Sequence, residues 1–386
     1  MTTQHNKVFL TKSGIYTRED ETGMFCFSPF TGLIYGVLES DIKKVKKWLD
    51  FQDNKIKKVY EETIGIGFKI NSKDAKFCQD RLLPDKSDWK NISFPRTPLV
   101  INWLITGRCT HDCMYCYAND LMRENVKEPL NSKDIDATIK KVLSLNPLVV
   151  VLTGGEPFKS PYLKYIIESL SKKVGIIIDT NGFLLNEDII KIIKENNVVV
   201  RVSIDNLRPQ INDRYRLLEK EKKNSEGLIK AIEFLNFCLD NNIATIVHTV
   251  AIKQNVNDLI TMGDKFVMIG LKVWRILRLS YPNSRPDIHK KLGYDENKYR
   301  HFYKRIQNKS IKDWNFRMQV IIQQNSERER NSVILVSPEG KFITESPMNG
   351  SGKIVIDPNR PNNPSKAELD SKINWWAHYD RYLNFS

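Results

Sequence analysis

Cys109, Cys113 and Cys116 are the residues whose type and spacing most directly suggest chemistry. They form a C-x-x-x-C-x-x-C run, whereas Cys26, Cys78 and Cys238 are scattered and read as structural thiols. In a reducing compartment, three clustered thiols point to a metal site. Zinc could take them with His111 as a fourth ligand. Zinc modules favour paired C-x-x-C units, however, and His111 lies between the thiols rather than beyond them. A [4Fe–4S] cluster held by three thiolates would leave one iron without a protein ligand and open to a small molecule. The iron–sulfur reading is therefore preferred to a structural zinc.

The elements that would position this loop can be read around it. From about residue 100 to 280, short β-branched apolar runs alternate with helical patterns. The runs are 99–106, 148–152, 175–179, 198–204, 244–252 and 273–279, and their near-continuous apolarity suits parallel strands covered on both faces. Ser132, Asn186 and Ser225 precede amphipathic stretches and read as helix N-caps. Six β-then-α units predict a parallel sheet curled into a partial barrel, open because about eight units are needed to close one. The cysteines leave the C-terminal end of the first strand, where such barrels build active sites. The next strand ends carry Thr153-Gly154-Gly155-Glu156-Pro157, Asp179-Thr180-Asn181-Gly182 and Ser203-Ile204-Asp205. Paired glycines let backbone approach a ligand closely, and a carboxylate beside them can take an ammonium group. Asn212-Asp213-Arg214-Tyr215-Arg216 lies past the fourth strand, Thr249, Asn255 and Asn257 belong to the fifth unit, and Trp274-Arg275-Ile276 forms part of the sixth.

The flanking segments differ in character. Residues 1–95 read as a small α+β domain, with strands over 7–16 and 24–30 and a Thr31-Gly32 hairpin before 33–37. Ile42, Val45, Trp48 and Leu49 then alternate with Lys43, Lys44, Lys46 and Lys47 at helical spacing, so the lysines read as a solvated face; Lys55, Lys57 and Lys58 follow. Docking of an acidic peptide, a nucleic acid or an anionic cofactor is the other use of that charge. Residues 93–98 read as a linker. The tail, 286–386, reads as a helix over 294–306, strands over 332–336 and 341–343 about Pro338-Glu339-Gly340, a strand over 353–356 after Asn349-Gly350-Ser351-Gly352, and a terminal helix whose Trp375, Trp376, Tyr379 and Tyr382 suit a core. The 386 residues suffice for two or three domains of roughly 100–200 residues. No run approaches the ~18 apolar residues that span a bilayer. The first residues lack the apolar segment of a secretory signal. A cytoplasmic protein without a membrane partner is expected, and the net charge of +14 adds only a general affinity for anions.

In this order the motifs resemble those of the radical S-adenosylmethionine (radical SAM) enzymes, whose hallmark is a C-x-x-x-C-x-aromatic-C loop; Tyr115 fills the aromatic position. The resemblance covers about residues 98–285 and implies an α/β fold: a partial (β/α)6 radical SAM barrel with the small N-terminal α+β domain and a C-terminal α+β extension. It implies that Cys109, Cys113 and Cys116 hold one [4Fe–4S] cluster whose open iron chelates S-adenosylmethionine. Reductive cleavage would give methionine and a 5′-deoxyadenosyl radical that takes a hydrogen atom from the substrate. A low-potential donor such as flavodoxin or ferredoxin would supply the electron. The resemblance also implies cofactor contacts: Tyr115 beside the cluster, Gly154, Gly155, Glu156 and Pro157 at the methionine amino group, and Asn181 near the ribose. Ser203 and Asp205 match the family's Ser-hydrophobic-Asp strand end. Arg216 matches the arginine at the cofactor carboxylate, with Arg214 as the alternative because the register carries one extra residue. Asn212 stands where the family has His, and Asn206 where it has Gly.

The strand-end patterns are most similar to the peptide- and protein-modifying branch. Many of its members carry a SPASM extension with auxiliary clusters, and the hairpin at 333–344 resembles its opening. No cysteine follows Cys238, so a cysteine-bound auxiliary cluster in the tail is excluded. Residues 1–95 resemble PqqD-like domains, which take a leader peptide as an added edge strand. The resemblance thus implies a RiPP maturase, an oxidoreductase acting on a precursor peptide. The alternative is a radical SAM enzyme acting on a small molecule, nucleotide or nucleic acid, the last being the least expected partner. Cys238, in an apolar helical stripe, reads as a core thiol rather than a hydrogen-atom donor.

Overall fold

The computed structural model describes residues 7–12, 14–39, 42–49, 94–116, 118, 128–129, 131–218, 226–280, 287–314, 317–323, 331–345, 354–356 and 371–383. An antiparallel sheet comes first: β1 (Val8–Leu10), β2 (Tyr16–Asp20), β3 (Gly23–Ser28) and β4 (Leu33–Leu38), in that spatial order. The single strand expected over 7–16 is broken by a turn. There Gly14 takes φ +82° and the Gly14 amide donates to Thr11 O at 3.0 Å. The amphipathic helix follows as Ile42–Leu49, with Ile42 and Val45 buried, Lys43 and Lys46 exposed, and Lys46 paired to Glu19. Lys55, Lys57, Lys58 and Cys78 lie outside the described residues.

The parallel framework is β5 (Val100–Leu104), β6 (His111–Cys113), β7 (Val149–Thr153), β8 (Gly175–Thr180), β9 (Val199–Ser203), β10 (Arg216–Leu218), β11 (Thr245–Ala251) and β12 (Val273–Arg278), in which β6 and β10 form a separate two-stranded ladder. The six expected barrel strands, β5, β7, β8, β9, β11 and β12, pair in parallel in chain order. Their branched residues, among them Val149, Ile178, Val200 and Val247, are fully buried between the lumen and the outer helices. Helices Ser132–Ser144, Leu163–Leu170, Glu187–Glu195, Glu226–Asp240 and Leu259–Met268 alternate with the strands. Asn186 caps its helix as expected, accepting from Ile189 N. The first cap is Asn131 rather than Ser132: Asn131 is extended, and its Oδ1 accepts from Lys133 N and Asp134 N. Ser225 lies outside the described residues.

The tail extends this same sheet. β13 (Gln319–Gln323) runs parallel to β12, and β14 (Val333–Val336) parallel to β5. β15 (Phe342–Glu345) and β16 (Ile354–Ile356) complete a ten-stranded sheet as an antiparallel edge. The β14–β15 hairpin was expected; β13, a short apolar core between two glutamines, was not.

The N-terminal sheet and the terminal helix Trp375–Tyr382 pack where the barrel strands begin. Arg18 donates to Pro98 O (2.5 Å) and Asn146 O (2.9 Å), which lead into β5 and β7, and to Tyr379 Oη at 2.6 Å. A Cβ on Gly32 would collide with Val199 and Ile246, and one on Gly175 with Phe27, so this packing leaves no free space. His378 Nε2 accepts from Leu99 N at 2.8 Å, so Nδ1 carries the proton that bonds Ser332 O at 2.7 Å. Among the described residues this packing covers the end where the strands begin, and the cavity lies at their C-terminal ends. Among the described residues, no helix is long and apolar enough to cross a membrane.

Candidate active site

The cysteine loop is a structured element. Its β6 segment pairs antiparallel with β10, placing Cys113 opposite Arg216 and His111 opposite Leu218, and Met114 N donates to Tyr215 O at 2.9 Å. Glu128 accepts from Gly107 N (2.5 Å) and from Thr106 Oγ1 (2.9 Å), which fixes the start of the loop. Lys159 Nζ donates to Cys109 O at 2.9 Å, and Asn181 Nδ2 donates to Thr110 Oγ1 at 2.8 Å. The ends of the first three barrel strands are thereby tied together.

The Gly154-Gly155 pair explains how β7 joins them. Gly155 N donates to Thr106 O and Glu156 N to Arg108 O, both at 2.8 Å. A Cβ on either glycine would strike those backbone carbonyls, so the glycines let the second strand end lie directly on the cysteine loop. Both line the cavity at the barrel mouth, whereas Glu156 and Pro157 do not. Glu156 is fully buried and turned inward, accepting from Asn181 N (2.8 Å), Thr180 Oγ1 (2.8 Å) and Phe158 N (3.2 Å). Burial raises its pKa to about 7 against these bonds. Pro157 starts the short 3-10 helix Pro157–Lys159.

Asp205 is the centre of the opposite wall. Its carboxylate accepts from Tyr115 Oη, from Arg216 Nη1 at 3.1 Å and from Val250 N at 2.6 Å. Asn212 accepts from Asp205 N (2.9 Å) and Asn206 N (3.3 Å), and Asn255 Nδ2 donates to Asp205 O at 2.8 Å. Thr249 Oγ1 donates to Ile204 O and accepts from Trp274 Nε1. Asn257 is exposed. Arg216 faces the cavity, while the guanidinium of Arg214 lies over the Tyr215 ring.

These elements bound one cavity of about 860 Å³, large for a small-molecule site. Cys109, Cys113, Cys116, Tyr115, Gly154, Gly155 line it, as do Asn181, Ser203, Asp205 and Arg216. The model of the radical SAM superfamily matches residues 103–266, the span that supplies all of these side chains.

The chain carries a radical SAM domain.

Over half of the chain it is 29% identical to the Fe-coproporphyrin III synthase of Methanosarcina barkeri, covering 45% of that protein. Over 37% of the chain it is 26% identical to the cysteine-type anaerobic sulfatase-maturating enzyme of Clostridium novyi, covering 42% of it. The chain spans about half the length of the curated relatives it matches. In fold it is similar to Streptococcus suis SuiB bound to its precursor peptide SuiA, with a TM-score of 0.57 and 12% identity over 96% of this chain and 88% of that one.

Radical SAM domains use a [4Fe–4S] cluster and S-adenosylmethionine, and the donor set fits such a pair. The three thiols share one wall of the cavity with the Arg216 guanidinium, which offsets thiolate charge. Burial raises Cys109 and Cys113 to about 11, and Arg216 pulls both down. Among the described residues, no three His, Cys, Asp or Glu groups converge as ligands of a single ion. His111 is not arranged as a fourth ligand. Its Nδ1 lies 2.9 Å from Thr110 Oγ1, and its ring stands edge-on to Phe183.

Sequence reasoning quoted Asp179 and Arg275 within strand motifs without giving them a place in the cavity, and missed Arg201, His248 and Arg381. Asp179, Arg201, His248 and Arg275 point into the same cavity, where Arg381 and Tyr382 of the terminal helix meet them. Cys238 is fully buried in the core and does not line the cavity.

Proposed function

We propose that this protein is a radical SAM enzyme that modifies a ribosomally made peptide. In this reading Cys109, Cys113 and Cys116 hold the [4Fe–4S] cluster. Gly154, Gly155 and Asn181 on one side and Ser203, Asp205 and Arg216 on the other would hold S-adenosylmethionine. When bound, cluster and cofactor would supply radical chemistry for taking a hydrogen atom from the substrate. Arg216 offers a buried, always-charged fork for a carboxylate, held in place by Asp205. Tyr115 spends its hydroxyl on the same Asp205 and packs in an apolar cluster with Tyr215, Ile252 and Leu279. Glu156 and Pro157 act one step back, by holding the Gly154-Gly155 turn against the cysteine loop. The packing that covers the beginnings of the strands keeps bulk water from that side of the cavity.

The observation that carries the reading is the meeting of three thiols and a buried arginine–carboxylate pair in one cavity at the C-terminal end of a parallel barrel. The test is direct. Anaerobically reconstituted, reduced protein should release 5′-deoxyadenosine from S-adenosylmethionine, with flavodoxin or ferredoxin as an alternative reductant. Cys113→Ala should lose the brown colour and the cleavage together; colour that survives the change overturns the ligand assignment.

The peptide substrate is favoured by the strand-end motifs and by the likeness to a sulfatase-maturating enzyme and to SuiB. Residues 1–95 would recognise the leader, adding it to β1, an edge of the N-terminal sheet; at the other edge, Ile34 of β4 bridges to Leu383. A small-molecule substrate is the second reading, favoured by the similarity to a coproporphyrin synthase. A short peptide encoded beside this gene, bound tightly and modified, decides for the first.

A further inference from the structure

Below the strand ends, the barrel lumen carries a ring of ionisable side chains. Asp179 and Arg201 are register partners on β8 and β9, and His248 and Arg275 are register partners on β11 and β12. Because side chains alternate faces along a strand, Arg201 points into the lumen with Ser203, one step deeper. Arg381 enters from the terminal helix, and its backbone carbonyl accepts from Arg275 Nη2 at 3.3 Å. The Gln323 amide oxygen, turned toward Arg381, accepts from that guanidinium.

Among the described residues, the guanidiniums of this ring outnumber its carboxylates. Asp179 is its carboxylate, and Arg201 takes both oxygens, donating from Nε and, at 2.8 Å, from Nη2. The other acids on the cavity wall, Asp112 and Asp205, belong to the cysteine loop and the Arg216 pair. Arg275 keeps a buried Nε without a hydrogen-bond partner, and His248 a buried Nε2 without one. Burial lowers Arg275 to about 9, with Arg201 and Arg381 pushing the same way. His248 is held well below its ordinary value by burial and by Arg201 and Arg275. Guanidiniums gathered at the inner end of a cavity repel one another and favour an anion that offsets them. The fold retains them where a ligand can reach, and the arginine fork fits the two oxygens of a carboxylate or phosphate.

We propose that the inner end of the cavity binds an oxyanion carried by the substrate, a carboxylate or a phosphate, through Arg275 and His248 with Arg201 and Arg381 beside them. The proposal rests on reading the outer end of the same cavity as the cofactor site. An anion held on the inner ring would fix the substrate's depth, so that one C–H bond faces the cofactor end. It selects acidic substrates: a peptide presenting an Asp, Glu or C-terminal carboxylate, or a phosphorylated small molecule.

The test is calorimetric titration of the reconstituted, unreduced protein, saturated with S-adenosylmethionine, using glutarate and pyrophosphate as probes. At least one should bind the wild type. Arg275→Gln should weaken it on the order of tenfold, as expected for losing a charged hydrogen bond, with Arg275→Lys in between. Stronger binding of glutarate assigns a carboxylate, and stronger binding of pyrophosphate a phosphate. If Arg275→Gln loses its iron, Arg381→Gln carries the same expectation. Failure of both probes to bind the wild type, or equal binding by an iron-replete Arg275→Gln, overturns the proposal. Release of 5′-deoxyadenosine by the reduced wild type is measured separately. Release without probe binding removes the anion site alone, whereas Arg275-dependent binding without release removes the catalytic reading and leaves the anion site standing.

Discussion

Arg216 stands opposite Cys113 in the β6–β10 ladder, and its guanidinium bonds Asp205 at the end of β9. The cysteine loop is thus clipped by backbone to a segment more than a hundred residues downstream, and that segment's charge is set by the fourth barrel strand. The arrangement places a permanent cation beside the thiols before any ligand binds. Cluster retention and cofactor affinity should therefore respond to residues that touch neither directly.

Asp205→Asn should show this. It strips Arg216 of its buried counter-ion and disturbs the bonds to Tyr115 and Val250 N. Breaking a buried pair by removing one charge costs about 3–5 kcal/mol. The urea midpoint should fall accordingly, and S-adenosylmethionine should bind more weakly by calorimetry. A change below about 1 kcal/mol would mean that the pair behaves as if solvent-exposed.

Gly155→Ala and Gly270→Ala separate close approach from backbone strain. The Gly155 site meets the Arg108 carbonyl of the cysteine loop, while Gly270 has φ +82° with open space around it. Gly270→Ala should cost about 1 kcal/mol of left-handed strain and leave iron content unchanged. Gly155→Ala should displace the loop and lower iron per chain by well over half, on the order of a broken ligand set. Equal iron content in the two variants would show that the loop shifts freely.

How much of this was legible follows from where the information resides. The six parallel strands announced themselves by branched apolar runs, and the cysteine, Gly-Gly and Ser-x-Asp strand ends by rare residue types at short spacing. Glu156 was legible as a residue but not as a direction: its turn inward depends on the Asn181 amide, which no local pattern reveals. The inner ring was invisible because a strand buried on both faces shows no period that marks lumen from helix side. The contact between Arg275 and Arg381, 106 residues apart, exists only once the terminal helix is placed. β13 escaped notice because its apolar centre is shorter than a typical strand signal.

Cys238 offers a clean negative expectation. It is fully buried, and burial raises its thiol to about 12. Cys238→Ala should destabilise by about 1 kcal/mol through lost packing while leaving 5′-deoxyadenosine yield and substrate conversion unchanged. Loss of conversion with an unmoved urea midpoint would instead make this thiol a participant.

His378 predicts a pH response of the barrel's closed end. Burial, with Arg18 and Arg381 nearby, lowers its pKa to about 3, and the Tyr379, Tyr382 and Trp375 rings pack around it. The folded protein therefore keeps His378 neutral, while the unfolded chain takes up a proton below its ordinary value of about 6.5. Stability from this group is complete above pH 6.5 and declines as pH falls toward 3, by at most about 1.4 kcal/mol per pH unit. Gln in its place can accept from Leu99 N and donate to Ser332 O without titrating. The urea midpoint of His378→Gln should stay near that of the wild type at pH 7.5 and fall less steeply between pH 6 and 5. Parallel slopes in the two proteins would show that the terminal helix is already released, or that His378 is already protonated, in that range.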